Sequence, residues 1–276
     1  MKDVMKFPIL AIAVLTITAC ANLEKPAPVA VQAATPVQVF AAGSLRGAMT
    51  AIAKDYEAQT GQKIALTFDA SGLLREQIEK GAAAQVFASA DTDHPQRLAK
   101  QGGWQAPRMF VRNTLCALTD ADIDATSATL LDTLLRSAVR LGTSTPKSDP
   151  SGDYTWEMFH KAEALNPGAY ATLDAKARKL VGKVDSPKPP QGRLAYAWIM
   201  DEAQVDVFLT YCTNAVAAQQ EVPRLKVVQL PPELKVGAAY GLTLRSDAPQ
   251  SAISFAQSLL APPAQAVFQR FGFGQP

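Results

Sequence analysis

Three short apolar runs, Val37–Ala41, Ile64–Phe68 and Val86–Ala88, alternate with segments whose apolar residues recur at helical spacing. Leu45, Met49, Ile52, Ala53 and Tyr56 share one helix face, and Gly61 closes that helix. Leu74 and Ile78 mark a second helix from Ser71 to Gly81, and Pro95 to Lys100 a third. This strand–helix alternation predicts an α/β fold, with a parallel or mixed sheet flanked by helices. Phe110–Arg112 and Leu115–Leu118 read as an extended segment leaving the first region. A second region starts at Val139–Gly142, with a helix marked by Trp156, Phe159 and Leu165. Val205–Tyr211 and Leu225–Leu230 follow as strands, and Ala238–Leu244 as a return strand. Helices over Gln250–Leu260 and Pro263–Phe271 end the chain.

At three places this pattern puts a hydroxyl at a helix start. They are Ala41-Ala42-Gly43-Ser44-Leu45, Asp69-Ala70-Ser71-Gly72-Leu73 and Asp149-Pro150-Ser151-Gly152-Asp153-Tyr154. A helix start exposes unpaired N–H groups and the positive end of the helix dipole. A serine adds an O–H donor, and a glycine lets a ligand approach the backbone. Three such ends meeting at one point would hold a small tetrahedral anion without any Lys or Arg. Taken singly, Ser44 and Ser71 would be helix caps stabilising by about 1 kcal/mol each.

Lys2 and Lys6 precede an apolar run from Phe7 to Leu15, and Ile17-Thr18-Ala19-Cys20 follows. This reads as a secretory signal over residues 1–19, with a lipobox that leaves Cys20 lipidated. Residues 20–36 are rich in Ala, Pro, Val and Gln and suit a flexible tether. The remaining cysteines, Cys116 and Cys212, lie in apolar runs and read as buried thiols. Export would permit them to pair. The formal net charge of +2, without a block of like charge, gives no reason to expect nucleic acid. The two histidines, His94 and His160, sit beside no Gly-x-Ser-x-Gly elbow, and no His/Cys/Glu cluster has metal-ligand spacing. The Gly-rich turns lack the Lys-Ser/Thr ending of a P-loop. The chain therefore reads as a binder with no cofactor rather than an enzyme.

These segments, in order, resemble the periplasmic molybdate-binding proteins of ABC importers. The matching stretches are Val39–Leu45, Ser71–Gly81, Val86–Asp91, Pro150–Tyr154, Val207–Ala215 and Phe268–Phe273. The resemblance implies a type II periplasmic binding fold: two α/β lobes joined by two crossing strands, the ligand between them. The crossings fall near Arg112–Thr119 and Gly237–Arg245, with lobe 1 as residues 37–115 plus 240–276 and lobe 2 as 116–239. It also implies ligand hydroxyls at Ser44, Ser71 and Tyr211, an amide donor at Ser151, and a fifth contact near Gly192 or Arg193. Arg193 is the one cation near that position, and by charge it would pair with the anion. The implied ligand is molybdate, with tungstate nearly the same size. The implied partners are the permease subunits of an ABC importer, serving a monomeric lipoprotein at the periplasmic face of a bacterial membrane.

The chain departs from the family pattern at Asp69, at Asp153 and in a longer Thr143–Asp149 loop. The carboxylates matter because molybdate, tungstate and sulfate only accept hydrogen bonds, whereas phosphate carries a proton and can donate one. A carboxylate facing a dianion repels it. Asp69 and Asp153 are expected to cap helices or face solvent. If either lined the cleft, phosphate would be favoured. The alternatives are another small anion (sulfate, phosphate or a carboxylate), or a lipoprotein sensor or interaction module that kept the fold without transport.

Overall fold

The computed structural model describes Met1 and residues 35–276. The signal over 1–19, the lipidation at Cys20 and nearly all of the 20–36 tether lie outside the described residues. Among the described residues, no helix is long and apolar enough to cross a membrane.

The first region follows the local pattern closely. Strands β1 (Val37–Ala42), β2 (Ile64–Asp69) and β3 (Val86–Ser89) run parallel, with β1 between the other two. Helices α1 (Arg46–Thr60) and α2 (Ser71–Glu79) connect them, and α3 (Asp93–Gln101) follows β3. Gly61 ends α1 at φ +74°, a left-handed position that a glycine takes without strain. Phe40, Leu74, Ile78, Phe87 and Leu98 pack as one buried group on the α2–α3 face. On the other face, α1 meets α10 (Pro262–Arg270), and α9 (Gln250–Leu259) packs beside it.

The two extended runs at Phe110 and Leu115 form one long strand, β4 (Arg108–Thr119). Its first half pairs antiparallel with β9 (Gly237–Leu244), and its second half with β7 (Val207–Tyr211) and β8 (Lys226–Gln229). The strand order is β2-β1-β3-β9-β4-β7-β5-β6, where β5 is Leu141–Ser144 and β6 is Ala177–Val181. Parallel β1–β3 and parallel β5–β7 thus flank an antiparallel middle built on β4 and β9, a mixed α/β architecture.

The second region contains α4 (Leu130–Leu135), α5 (Pro150–Leu165), α6 (Ala169–Lys176), α7 (Ala195–Asp201) and α8 (Cys212–Glu221). Strand β7 shows why both faces are covered. Val207, Leu209 and Tyr211 join the group containing Met158, Phe159 and Leu173 of α5 and α6. Phe208 joins Ile199, Met200, Ala215 and Ala218 of α7 and α8. Successive strand residues point to opposite faces, so a strand covered on both reads as a continuous apolar run.

The reading of Cys116 and Cys212 as buried thiols is corrected: they form a disulfide, with Cα atoms 4.8 Å apart. Cys116 is opposite Thr210 in the β4–β7 ladder, so tertiary pairing brings Cys212, at the start of α8, within bonding reach.

Candidate functional site

Two of the three helix beginnings, those of α2 and α5, come into contact, while the third is tied to β9 through Tyr240. Ser44 occupies a 3-10 turn, Gly43–Leu45, between β1 and α1. Ser71 is the first residue of α2, and Ser151 the second of α5. The start of α2 abuts the loop before α5: the Gly72 amide donates to the Ser148 carbonyl at 2.8 Å. A Cβ on Gly72 would stand 2.6 Å from that same oxygen, so the approach requires glycine.

The hydroxyls are held by hydrogen bonds. Ser71 is 1 % exposed, and its Oγ accepts from the Ala90 amide at 3.0 Å, which leaves its own hydrogen to donate. Tyr211, at the end of β7, donates to the carbonyl of the same Ala90 at 3.2 Å. The Ser44 Oγ is 2.8 Å from the Tyr240 hydroxyl of β9. Asn113 of β4 donates from Nδ2 to that phenol at 3.1 Å and to Thr213 Oγ1 at 2.9 Å. The phenol oxygen thus accepts from Asn113 and shares one hydrogen bond with Ser44, in which either hydroxyl can donate. The Tyr211 and Tyr240 ring centres are 5.5 Å apart, and Tyr154 of α5 is 6.3 Å from Tyr211. Burial pushes the Tyr211 and Tyr240 phenols well above their ordinary value and that of Tyr154 to about 12, so all three stay neutral.

The start of α5 carries a residue that the sequence reading passed over. Asp149 caps the helix ahead of Pro150, and its Oδ1 accepts from the Ser151 amide at 3.0 Å. That is the amide expected to serve a ligand. The Ser151 hydroxyl donates to Ser144 Oγ at 3.0 Å, and Ser144 lies 3.3 Å from the Tyr196 hydroxyl. Asp149 is 8 % exposed, and burial pushes its carboxyl up to about 6 against the opposing pull of the Ser151 N–H. The Asp-Pro-Ser-Gly order is itself a cap signal, but it says nothing about how deeply the cap is buried.

The other carboxylates divide. Asp153 accepts from the Lys147 amide at 2.9 Å and so braces the loop before α5. Asp69 accepts from the next amide, Ala70, at 2.8 Å, and also lines a cavity of about 360 Å³. The cavity lies between α2 and the loop following β6, with Leu73, Lys80, Gly182, Lys188 and Ala195 among its walls.

One expectation near residue 193 is corrected. The Arg193 guanidinium is engaged by Glu221 of α8 and Asp201 of α7 rather than by an anion beside Ser44 and Ser71. The Arg193 amide donates to the Pro190 carbonyl at 3.1 Å, which leaves Gly192 as the residue for a fifth contact. Ser44, Ser71, Ser151 and Tyr211 are linked through Ala90, Tyr240 and the Gly72–Ser148 contact. Tyr240, Asn113 and Asp149 join them as residues the sequence reading did not name for the site.

The family of bacterial extracellular solute-binding proteins matches residues 37–274. An uncharacterized protein of Pasteurella multocida is 34% identical over 211 residues, covering 75% of this chain and 86% of its own. The molybdate-binding protein ModA of Escherichia coli is 28% identical over 246 residues, covering 86% of this chain and 88% of its own. Among solved structures, the periplasmic molybdate-binding protein of Azotobacter vinelandii superposes with a TM-score of 0.68 at 19% identity, over 87% of this chain and 99% of that one.

Proposed function

Because the chain belongs to the family of bacterial extracellular solute-binding proteins, we propose that it captures a small oxyanion outside the cytoplasm, molybdate with tungstate beside it, and delivers it to an ABC importer. One observation carries this reading: the Ser71 hydroxyl, buried at the start of α2 and held by the Ala90 amide so that its hydrogen remains to donate, stands beside the loop that opens α5. Such a pocket suits an ion that only accepts hydrogen bonds. The molybdate-binding relative supports the choice of ion.

In this reading lobe 1 is residues 37–115 with 240–276, lobe 2 is 116–239, and closure of the two buries the ion. Ser44 and Ser71 are direct contacts, and the Ser151 amide, which donates to Asp149 here, would be a third once shared with the ion. Tyr211, whose hydroxyl already bonds Ala90, fixes the two halves against each other around the ion. Cys20 carries the lipid that holds a monomeric protein at the membrane.

A protonated oxyanion such as hydrogen phosphate is the second reading, favoured by the buried Asp149 carboxylate beside the Ser151 amide. Isothermal titration of the ligand-stripped protein with molybdate, sulfate and phosphate tests both. Tight molybdate binding with weak sulfate and phosphate binding is expected. Silence towards all three in a folded protein would overturn the uptake reading.

A further inference from the structure

We infer that this site takes up its oxyanion together with one proton, shared between a ligand oxygen and the Asp149 carboxylate. The inference rests on the oxyanion reading above and adds to it how the ion's charge is met.

Asp149 is buried at the place where the anion's third donor is expected, and its Oδ1 already holds the Ser151 N–H. The groups facing it from each packed element are acidic or neutral. Asp153 comes from α5 and Asp69 from the end of β2. The phenols of Tyr196, Tyr211 and Tyr240 come from α7, β7 and β9, and the Ser144 hydroxyl from β5. From the loop after β6, Gly182 approaches so closely that a Cβ there would lie 2.6 Å from the Asp149 Cβ. Lys147 and Lys183 flank the site in sequence, but both are exposed, and no ion pair to Asp149 occurs among the described residues.

A dianion placed beside this carboxylate would meet uncompensated like charge in a poorly solvated pocket. One proton removes the conflict in either of two ways. With molybdate or sulfate, which carry no proton near neutral pH, the carboxylate takes one from solvent and its O–H donates to the ligand oxygen. With hydrogen phosphate, the ligand brings the proton and donates it to the carboxylate. Burial that lifts the carboxyl to about 6 makes the first route accessible close to neutral pH.

The test is calorimetric titration of the full chain, purified free of ligand, with molybdate, sulfate and phosphate between pH 6.5 and 8.5. Paired buffers of different ionisation enthalpy give the proton count directly. Molybdate binding at pH 8 is expected to take up about one proton per ion, and its affinity to fall about tenfold per pH unit above the carboxyl's own value. Hydrogen phosphate at pH 8 is expected to bind without net uptake. Asp149→Asn should remove both the proton uptake and the pH slope for molybdate, and should weaken phosphate relative to molybdate. Molybdate or sulfate binding without proton uptake, or with the same uptake in D149N, would overturn this inference and leave the oxyanion reading standing. Failure of all three ions to bind a folded protein would overturn the oxyanion reading and this inference with it. The proton count on the unaltered chain decides the matter even if D149N does not fold.

Discussion

Gly72→Ala should weaken ligand capture without unfolding the protein. The Gly72 Cβ position lies 2.6 Å from the Ser148 carbonyl oxygen, 2.7 Å from Ser148 Cα and 2.8 Å from the Lys147 carbonyl oxygen. Ordinary contact begins at 3.4 Å, so the two segments must separate by 3.4 minus 2.6, or 0.8 Å. That displacement stretches the 2.8 Å Gly72–Ser148 hydrogen bond beyond useful length. Losing the bond costs about 1 kcal/mol. Forcing a methyl against backbone costs a further 1–3 kcal/mol or so. Together, about 2–4 kcal/mol falls on the arrangement in which α2 meets the α5 loop, which corresponds to a roughly 30- to 1,000-fold loss of affinity. Titration calorimetry with molybdate measures the loss, with Gly237→Ala as control, because a Cβ there meets nothing within 4 Å. The clash falls on the ligand-free contact as well, so G72A should also melt below G237A, by roughly 2–4 °C per kcal/mol. Equal affinity for G72A and wild type, or an equal loss in G237A, would refute the claim that this contact governs capture.

Ser71→Ala removes a charge-assisted donor, so affinity should fall by about 1.5–3 kcal/mol on titration, while the Ala90 amide left without its acceptor lowers stability by about 1–3 kcal/mol with an unchanged circular dichroism spectrum. Arg193→Ala should leave affinity within about twofold, because the guanidinium is committed to Glu221 and Asp201; a large loss would return Arg193 to the site. Reducing the Cys116–Cys212 bond opens a link across 96 residues and should lower stability by about 2–5 kcal/mol in denaturant melts. Asp149→Asn should raise the melting temperature at pH 7.5. The carboxyl is lifted to about 6 in the folded state, so its burial opposes folding above that pH and ceases to do so below its unfolded value. The gain, on the order of 3 kcal/mol at 1.36 kcal/mol per pH unit, should therefore vanish as pH falls towards 4.

The first region was readable because its signals are local. The apolar run Val37–Ala41, the helical spacing after Ser44 and the Gly61 stop each lie within a few residues of the structure they specify. The stretch from 166 to 204 was not. Strand β6 shows no clean burial alternation, and α7 is only 7 residues long and apolar on several sides. The same divide runs through the site. Ser44, Ser71 and Ser151 are visible because helix starts announce themselves. Tyr240 and Asn113 are not, because their hydrogen bonds join residues 196 and 127 positions apart. Arg193 was misjudged for a related reason: proximity in sequence suggested an anion partner, while the fold brought Glu221 and Asp201 to it. Asp149 was in plain view as a cap, and only the packing of α7, β7 and the loop after β6 around it shows that the cap is buried.

The hydrogen bonds from Thr213 through Asn113 and Tyr240 to Ser44 pass through β4 and β9, the two strands that any flexing between the halves must bend. A twist of those strands therefore loosens the orientation of Ser44 as it parts α2 from α5. On the proposed function, grip and geometry would fail together, so that parting the halves would empty the site in one mechanical stroke.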